Sequence, residues 1–165
     1  MGSFKDFYNS EEKREVLSVI VVNKDSVLSR IVDLFSARGY NIDSLTVAPI
    51  PNSEYSRITI VTFGKTRTID QIVKQLNKLI PVFKVTEHKD VIEKDTVLIK
   101  IPIDQNLSDV DVLARAYHGS ILNVTDEAIV ISATDEPQRI VNFIKVIEKY
   151  NPIEIVRSGV VAMER

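Results

Sequence analysis

The sequence repeats one order of predicted elements, strand-helix-strand-strand-helix-strand, twice along its length. This repeat constrains the fold more than any other feature. In the first half, the β-branched run at residues 16–22 precedes a helical stripe that stops at Gly39. In the second half, a similar run begins at Thr96 and the next helix stops at Gly119. A chain of 165 residues is therefore expected to hold two small domains of the same kind.

The remaining elements of the first half follow from periodicity and turn residues. Asp25 and Ser26 are good N-cap types before the first helix, and a second helical stripe runs from Ile69 to Ile80. A Pro- and Ser-rich turn at residues 49–54 separates two of the strands. The predicted strands of this half are residues 16–22, 41–47, 57–63 and 82–86.

The second half begins after a charged connector, residues 88–95. Ser108 and Asp111 suggest a capping box for its first helix, and the last helix begins near Pro137 and stops at Asn151. The predicted strands of this half are residues 96–103, 121–125, 128–132 and 153–161.

The two halves together predict an α+β fold of two tandem ferredoxin-like βαββαβ domains. We expect a flexible N-terminal extension at residues 1–15, a first domain at residues 16–90 and a second at residues 96–165. Each domain would place two helices on one face of a four-stranded antiparallel sheet and leave the other face to be covered. Dimerisation through sheet edges or faces is therefore expected.

Composition excludes several classes of protein. The net charge of -2 gives no electrostatic reason to expect nucleic acid or a lipid surface as the main partner. A predicted sheet that offers only Phe63 beside Arg57 is also a poor stacking platform for bases. The absence of cysteine excludes a disulfide scaffold and thiolate chemistry. No apolar run approaches the roughly 20 residues of a membrane span, and the first fifteen residues lack an apolar signal core, so a cytoplasmic protein is expected.

Residues that could carry out catalysis are few. The two histidines, His88 and His118, are far apart in the sequence and are interpreted as solvent-facing or capping side chains near the ends of elements. The chain has no glycine-rich phosphate loop, and Asp109 and Asp111 open a helix rather than form an acid-base pair. We therefore expect neither a catalytic residue nor a metal site.

The first strand-to-helix turn, residues 23–26, is the most informative short segment. Free backbone N–H groups at a helix start attract a carboxylate, and the Asn23 amide can donate and accept, which suits the two charged ends of an amino acid. The simpler interpretation is that Asp25 or Ser26 caps the helix. Asn41, after Gly39, is equally explained as a turn residue.

Several segments resemble the regulatory (small) subunit of acetohydroxyacid synthase, also called acetolactate synthase. The longest of these segments runs from Leu34 to Pro49, with Arg38-Gly39-Tyr40-Asn41-Ile42 at its centre, and it is long enough to be specific to the family. The similarity extends over about residues 16–163 in the family's own order. The other matching segments are residues 28–30, 56–60, 71–79 and 157–161.

This resemblance implies a non-catalytic partner of a thiamine-diphosphate enzyme in valine, leucine and isoleucine biosynthesis. The first half would be an ACT domain that pairs side by side with a second copy. A branched-chain amino acid, usually valine, would bind at that dimer interface and inhibit the catalytic subunit, which the small subunit otherwise activates. Thiamine diphosphate, magnesium and FAD would belong to the catalytic (large) subunit, and this chain would carry no cofactor.

The resemblance also assigns an effector site. Residues 23–28 of one copy would meet Asn41 and Ile42 of its neighbour. The family has glycine where this chain has Ser26, and a Cβ there occupies space near the ligand, so we expect weaker or altered valine sensitivity. The predicted site residues are Asn23, Lys24, Asp25, Ser26, Val27, Leu28, Asn41 and Ile42.

Two alternatives remain open. A free-standing amino-acid sensor that controls transcription would need a DNA-binding element, and the two predicted domains leave no segment for one. An enzyme on a ferredoxin-like scaffold would need convergent polar groups that the sequence does not offer. Capture of a catalytic subunit, followed by an activity assay, separates these functions.

Overall fold

The computed structural model describes residues 12–165 and contains two ferredoxin-like units, which confirms the predicted fold class. Most of the predicted N-terminal extension, residues 1–11, lies outside the described residues. A single 3₁₀ turn, Glu148–Tyr150, follows the last helix. The elements are β1 (Lys13–Val22), α1 (Val27–Ala37), β2 (Ile42–Pro49), β3 (Tyr55–Gly64), α2 (Thr66–Asn77), β4 (Val82–Glu87), β5 (Val91–Pro102), α3 (Leu107–Ala116), β6 (Gly119–Val124), β7 (Ala128–Asp135), α4 (Pro137–Ile147), β8 (Glu154–Arg157) and β9 (Val161–Glu164).

The described chain divides into two compact units. The first comprises the described residues up to Val91 together with Ala162–Arg165, and the second comprises Ile92–Val161. The chain therefore leaves the first unit after β4 and returns to it with the end of β9.

The first unit is built on an antiparallel sheet in the order β2-β3-β1-β4. Alternate residues of β1, such as Leu17 and Val19, face the apolar stripes of α1 and α2, which include Phe35 and Leu76. The opposite face of this sheet is also buried at Val16 and at three neighbouring positions of β1 and β3. Those three positions are Ser18, Thr59 and Val61. The centre of this face is therefore already covered within one copy of the chain.

The second unit repeats the plan, with a sheet in the order β6-β7-β5-β8 and a core in which Ile99, Ile131 and Phe143 are fully buried. Here the face opposite the helices keeps apolar side chains exposed, among them Leu98 of β5 and Val156 of β8.

Three boundary predictions are wrong. Residues 88–95 are not a connector throughout, because β5 begins at Val91. The sequence did not indicate this start, since charged side chains in the segment replace the apolar-polar alternation that predicts a strand. The predicted last strand, residues 153–161, is two strands, β8 and β9. Strand β1 begins at Lys13, three residues before the apolar run that predicted it.

Two predicted helix ends in the second unit are also wrong. Asn106, not Ser108, caps α3, and its side-chain oxygen accepts hydrogen bonds from the backbone N–H groups of Ser108 and Asp109. After α3 the left-handed position is held by His118, with φ 55°, rather than by Gly119. Gly119 is required for a different reason, since a Cβ there would overlap the backbone oxygen of Ser132 on β7.

Candidate functional site

The turn between β1 and α1 is held by its backbone and leaves its side chains exposed. The N–H of Asn23 donates to the carbonyl of Glu54 at 2.8 Å, and the N–H of Lys24 donates to the carbonyl of Val22 at 2.9 Å. The side chains of Asn23, Lys24, Asp25 and Ser26 all lie on the surface of the unit. They form an exposed polar rim at the start of α1.

Ser26 occupies the N-cap position of α1 in an unusual conformation. Its φ of 67° and ψ of -2° place it in the left-handed region, where residues with a Cβ are strained and glycine is not. Its carbonyl accepts from the N–H of Arg30 and from the Ser29 hydroxyl, both at 3.2 Å. The backbone at Ser26 is therefore the one that glycine favours, at the position where the resemblance expects glycine.

The predicted capping of α1 by a side chain is not found. Within residues 12–165 no side chain caps the start of this helix, and its first-turn N–H groups have no intrahelical acceptor. The corresponding helix of the second unit, α3, is capped by Asn106. Helices α2 and α4 also lack side-chain caps, so an uncapped start does not by itself define a site.

The other predicted site residues differ in what they offer. Val27 is buried in the core of the first unit, so only its backbone is available to a ligand. Leu28 is exposed beside it. Asn41 is exposed, and its carbonyl accepts a 2.6 Å hydrogen bond from the Thr62 hydroxyl. Ile42 is half-buried against the core.

One copy of the chain does not bring these residues together. Residues 23–28 lie at the start of α1 and Asn41 and Ile42 follow its end, and this helix has 11 residues. At 1.5 Å per residue its ends are about 16 Å apart, more than the length of an amino acid. The eight residues can share one ligand only if a second copy supplies Asn41 and Ile42, and that arrangement stays a prediction.

A second polar cluster, which the sequence did not reveal, lies in the first unit. The Ser18 Oγ and His88 Nε2 are 2.7 Å apart, and His88 Nδ1 is 2.7 Å from Oε2 of Glu164. The Asp90 N–H also donates to Glu164. The interpretation of His88 as a solvent-facing or capping side chain is wrong, because it is buried between these two partners.

This serine-histidine-glutamate order does not make a hydrolytic site. Ser18 is 3% exposed in the middle of β1, with β3 and β4 paired on either side, so no substrate reaches its hydroxyl. The cluster instead fixes Glu164 of β9 onto the first unit. Hydrogen bonding from His88 lowers the pKa of the Glu164 carboxyl below its ordinary value.

The second unit contains a buried carboxylate, Asp135, at the end of β7. It accepts hydrogen bonds from Arg139, His118 and Lys94 and from the N–H of Glu136. Burial alone raises the pKa of Asp135, but these donors, led by Arg139, outweigh it and hold that pKa below its usual range. Arg139 also donates to the carbonyl of Ala116 at the end of α3, so the group is a structural tie between helices. His118 is exposed just after a helix end, in agreement with its interpretation.

The described residues offer no metal site and no membrane span. Across residues 12–165, no group of three or more histidine and carboxylate side chains is placed to hold a metal ion. Within the same residues, none of the helices has the length and apolar character needed to span a membrane.

Comparisons with known proteins match both halves of the chain. The family described as "AHAS small subunit-like ACT domain" matches residues 17–84, and the family described as "Small subunit of acetolactate synthase" matches residues 94–165. An acetolactate synthase small subunit from Buchnera aphidicola is 41% identical over 156 residues, which cover 92% of this chain and 98% of that protein. One from Haemophilus influenzae is 38% identical over 156 residues, covering 92% and 96%.

A solved structure agrees with these relatives. The crystal structure of an acetolactate synthase small subunit from Thermotoga maritima superposes with a TM-score of 0.86 at 33% sequence identity. The superposition covers 93% of this chain and 98% of that one, so the similarity includes both units.

Proposed function

Because this chain belongs to the family of acetolactate synthase small subunits, we propose that it activates a thiamine-diphosphate-dependent catalytic subunit and makes that subunit sensitive to valine. The observation that carries this proposal is the collinear match of both halves to small subunits over nearly their whole length. The subunit is non-catalytic. We assign the thiamine diphosphate, magnesium and FAD of the reaction to the catalytic subunit.

The effector in this proposal binds at the start of α1. Its carboxylate accepts hydrogen bonds from the uncapped N–H groups of the first turn, where the helix dipole favours negative charge. Its ammonium group donates to the side-chain oxygen of Asn23, which is exposed beside that turn. The isopropyl group of valine packs on Leu28 of one copy and Ile42 of the other.

The proposed dimer forms through β2, which is an edge strand of the first sheet. Antiparallel pairing of two β2 strands about a two-fold axis gives one continuous sheet and satisfies the backbone groups of that edge. The same symmetry sets the two α1 helices antiparallel. The end of α1 in one copy, with Asn41 and Ile42, then approaches the start of α1 in the other.

Ser26 makes this chain's effector response weaker than that of a family member with glycine. Its Cβ and hydroxyl stand at the N-cap, next to the N–H groups that the ligand carboxylate uses. We expect Ser26→Gly to strengthen valine inhibition, because removing the side chain opens the approach while the left-handed backbone is retained.

The test is reconstitution with the cognate catalytic subunit. Acetolactate formation is measured with the wild-type chain, with Asn23→Ala, with Ser26→Gly and with the control Asn77→Ala, whose side chain bonds only within α2. We expect all four to activate. Inhibition by valine should weaken by about tenfold or more in Asn23→Ala, as expected for loss of a charge-assisted hydrogen bond, and be unchanged in Asn77→Ala.

Failure of the wild-type chain to activate contradicts the proposed function. If valine inhibits Asn23→Ala and wild type equally, the effector does not bind at this turn. A valine response of the wild-type chain equal to that of Ser26→Gly refutes the role given to the serine side chain.

A further inference from the structure

An apolar patch lies where α2 passes into β4. Among the large hydrophobic residues that the structure describes, Ile80 and Phe83 have the highest exposed fractions, 96% and 70%. The ring of Phe83 lies against Tyr55 of β3, with centroids 5.2 Å apart. We call Ile80, Phe83 and Tyr55 the α2–β4 patch. Tyr55 is half-buried, whereas Ile80 and Phe83, three positions apart in the chain, are largely exposed. Large apolar side chains exposed to this extent in one short segment are typical of a protein-binding surface.

The backbone beneath this patch is fixed. The N–H of Val82 donates to Leu79 and the N–H of Val22 donates to Pro81, both at 3.0 Å. Pro81 and Val82, which lie between Ile80 and Phe83, are both held by these hydrogen bonds, and Pro81 is thereby attached to the interior strand β1. Side chains presented on an ordered backbone lose less entropy on binding than those on a mobile loop, which favours their use as anchors.

The patch is connected directly to the turn where we place the effector. Val22, whose N–H donates a hydrogen bond to the carbonyl of Pro81, immediately precedes Asn23 in the chain. The N–H of Asn23 in turn donates to Glu54, the residue before Tyr55. A ligand that shifts the turn therefore acts on both backbone segments that carry the patch. Allosteric control needs such a physical link between an effector site and a partner surface.

The position of the patch also suits a partner other than a second copy. Strand β4 is the edge of the first sheet opposite β2, in the order β2-β3-β1-β4. A dimer through β2 leaves Phe83 and Ile80 uncovered. The protein partner that family membership provides is an acetolactate synthase catalytic subunit, which must contact this chain at some surface.

We propose that the α2–β4 patch is the surface on which the catalytic subunit docks. This inference rests on the proposed function and adds the location of the contact. Ile80 and Phe83 are the anchors, and the hydrogen bonds from Val22 and Asn23 carry the effector signal to them. Val112 on α3 is similarly exposed but lies in the second unit, outside the hydrogen-bonded segments that join the patch to the turn.

The test measures how much of each variant is needed to activate the cognate catalytic subunit. Ile80→Asp and Phe83→Asp place a charge on the patch, and Val112→Asp is the matched control, since Val112 is 68% exposed in the second unit. We expect the half-activating concentration to rise at least about tenfold for both patch variants and to change less than about twofold for the control. Thermal unfolding checks that the variants are folded, and Ile80, which is almost fully exposed, gives the cleaner comparison.

A second readout separates this inference from the function on which it rests. Valine binding to the isolated chain, measured by calorimetry, should be the same for wild type and Ile80→Asp. Normal activation by Ile80→Asp and Phe83→Asp overturns the docking surface and leaves the proposed function in place. Equal weakening by Val112→Asp also overturns it. A wild-type chain that neither binds nor activates the catalytic subunit refutes the proposed function and the docking surface together.

Discussion

Replacing Ser26 by glycine is predicted to stabilise the first unit. Ser26 has a φ of 67°, and its side chain makes no capping hydrogen bond that the substitution would remove. The left-handed conformation costs a residue with a Cβ about 1–2 kcal/mol. Glycine also makes the unfolded chain more flexible, which costs about 0.4–1 kcal/mol. The difference leaves a net stabilisation of about 0.5–1 kcal/mol.

Urea unfolding followed by circular dichroism measures this change. With a denaturant slope of about 1–2 kcal/mol/M for a unit of this size, the midpoint should rise by about 0.5 M. Ser26→Ala is the matched control, because it retains the Cβ and should leave the midpoint nearly unchanged. Gly39→Ala is the reverse experiment. Gly39 has a φ of 68°, and a Cβ added there would meet nothing within 4 Å. The expected loss for Gly39→Ala, about 0.5–1 kcal/mol, therefore contains the same two backbone contributions and no steric clash.

A midpoint for Ser26→Gly that is equal to or below wild type, while Gly39→Ala is destabilised as expected, refutes the argument. It would mean that the serine side chain contributes an interaction that offsets the conformational cost.

Three further predictions concern stability. Glu164→Gln should make the free energy of unfolding depend less on pH in acid. The lowered pKa of Glu164 stabilises the fold above the ordinary value of 4.5, and this stabilisation is lost as the pH falls through the lowered pKa. Equal acid slopes for the variant and the wild type contradict this prediction. Asp135→Ala should lower the free energy of unfolding by about 1–3 kcal/mol in thermal unfolding, because it leaves several donors without their buried acceptor. The control Arg115→Ala breaks an exposed ion pair on α3 and should cost less than about 0.5 kcal/mol. Similar losses for the two variants would show that the buried group stabilises the fold no more than an exposed ion pair does. Gly119→Ala should destabilise the second unit by about 1–3 kcal/mol through contact with the Ser132 carbonyl, and wild-type stability of this variant would show that the strand yields without cost.

The elements that bury regular apolar faces could be predicted from the sequence. The β-branched run of β1 and the helical stripes of α1 and α2 carry their own periodicity, and each lies in the core of the first unit. The start of β5 could not be predicted, because charged side chains replace the apolar alternation from Val91 to Thr96. The left-handed backbone of His118 could not be predicted, because the neighbouring Gly119 is the residue type that usually takes this conformation after a helix.

The polar clusters could not be predicted, because their members are distant in the sequence. Ser18 and His88 are 70 positions apart, and His88 and Glu164 are 76 apart. Only the return of the chain to the first unit brings Glu164 to His88. The eight predicted site residues are limited in a different way, because they lie at the two ends of α1 and require a second copy to meet.

The central claim is that two copies of the chain build one effector site at the start of α1. Equilibrium dialysis with labelled valine, over a range of protein concentrations and alongside light scattering, tests it most directly. Bound valine should rise with the dimer fraction, and Ile42→Asp, at the neighbour's side of the site, should abolish binding. Binding that persists in monomer, or no binding to a stable dimer, would contradict it.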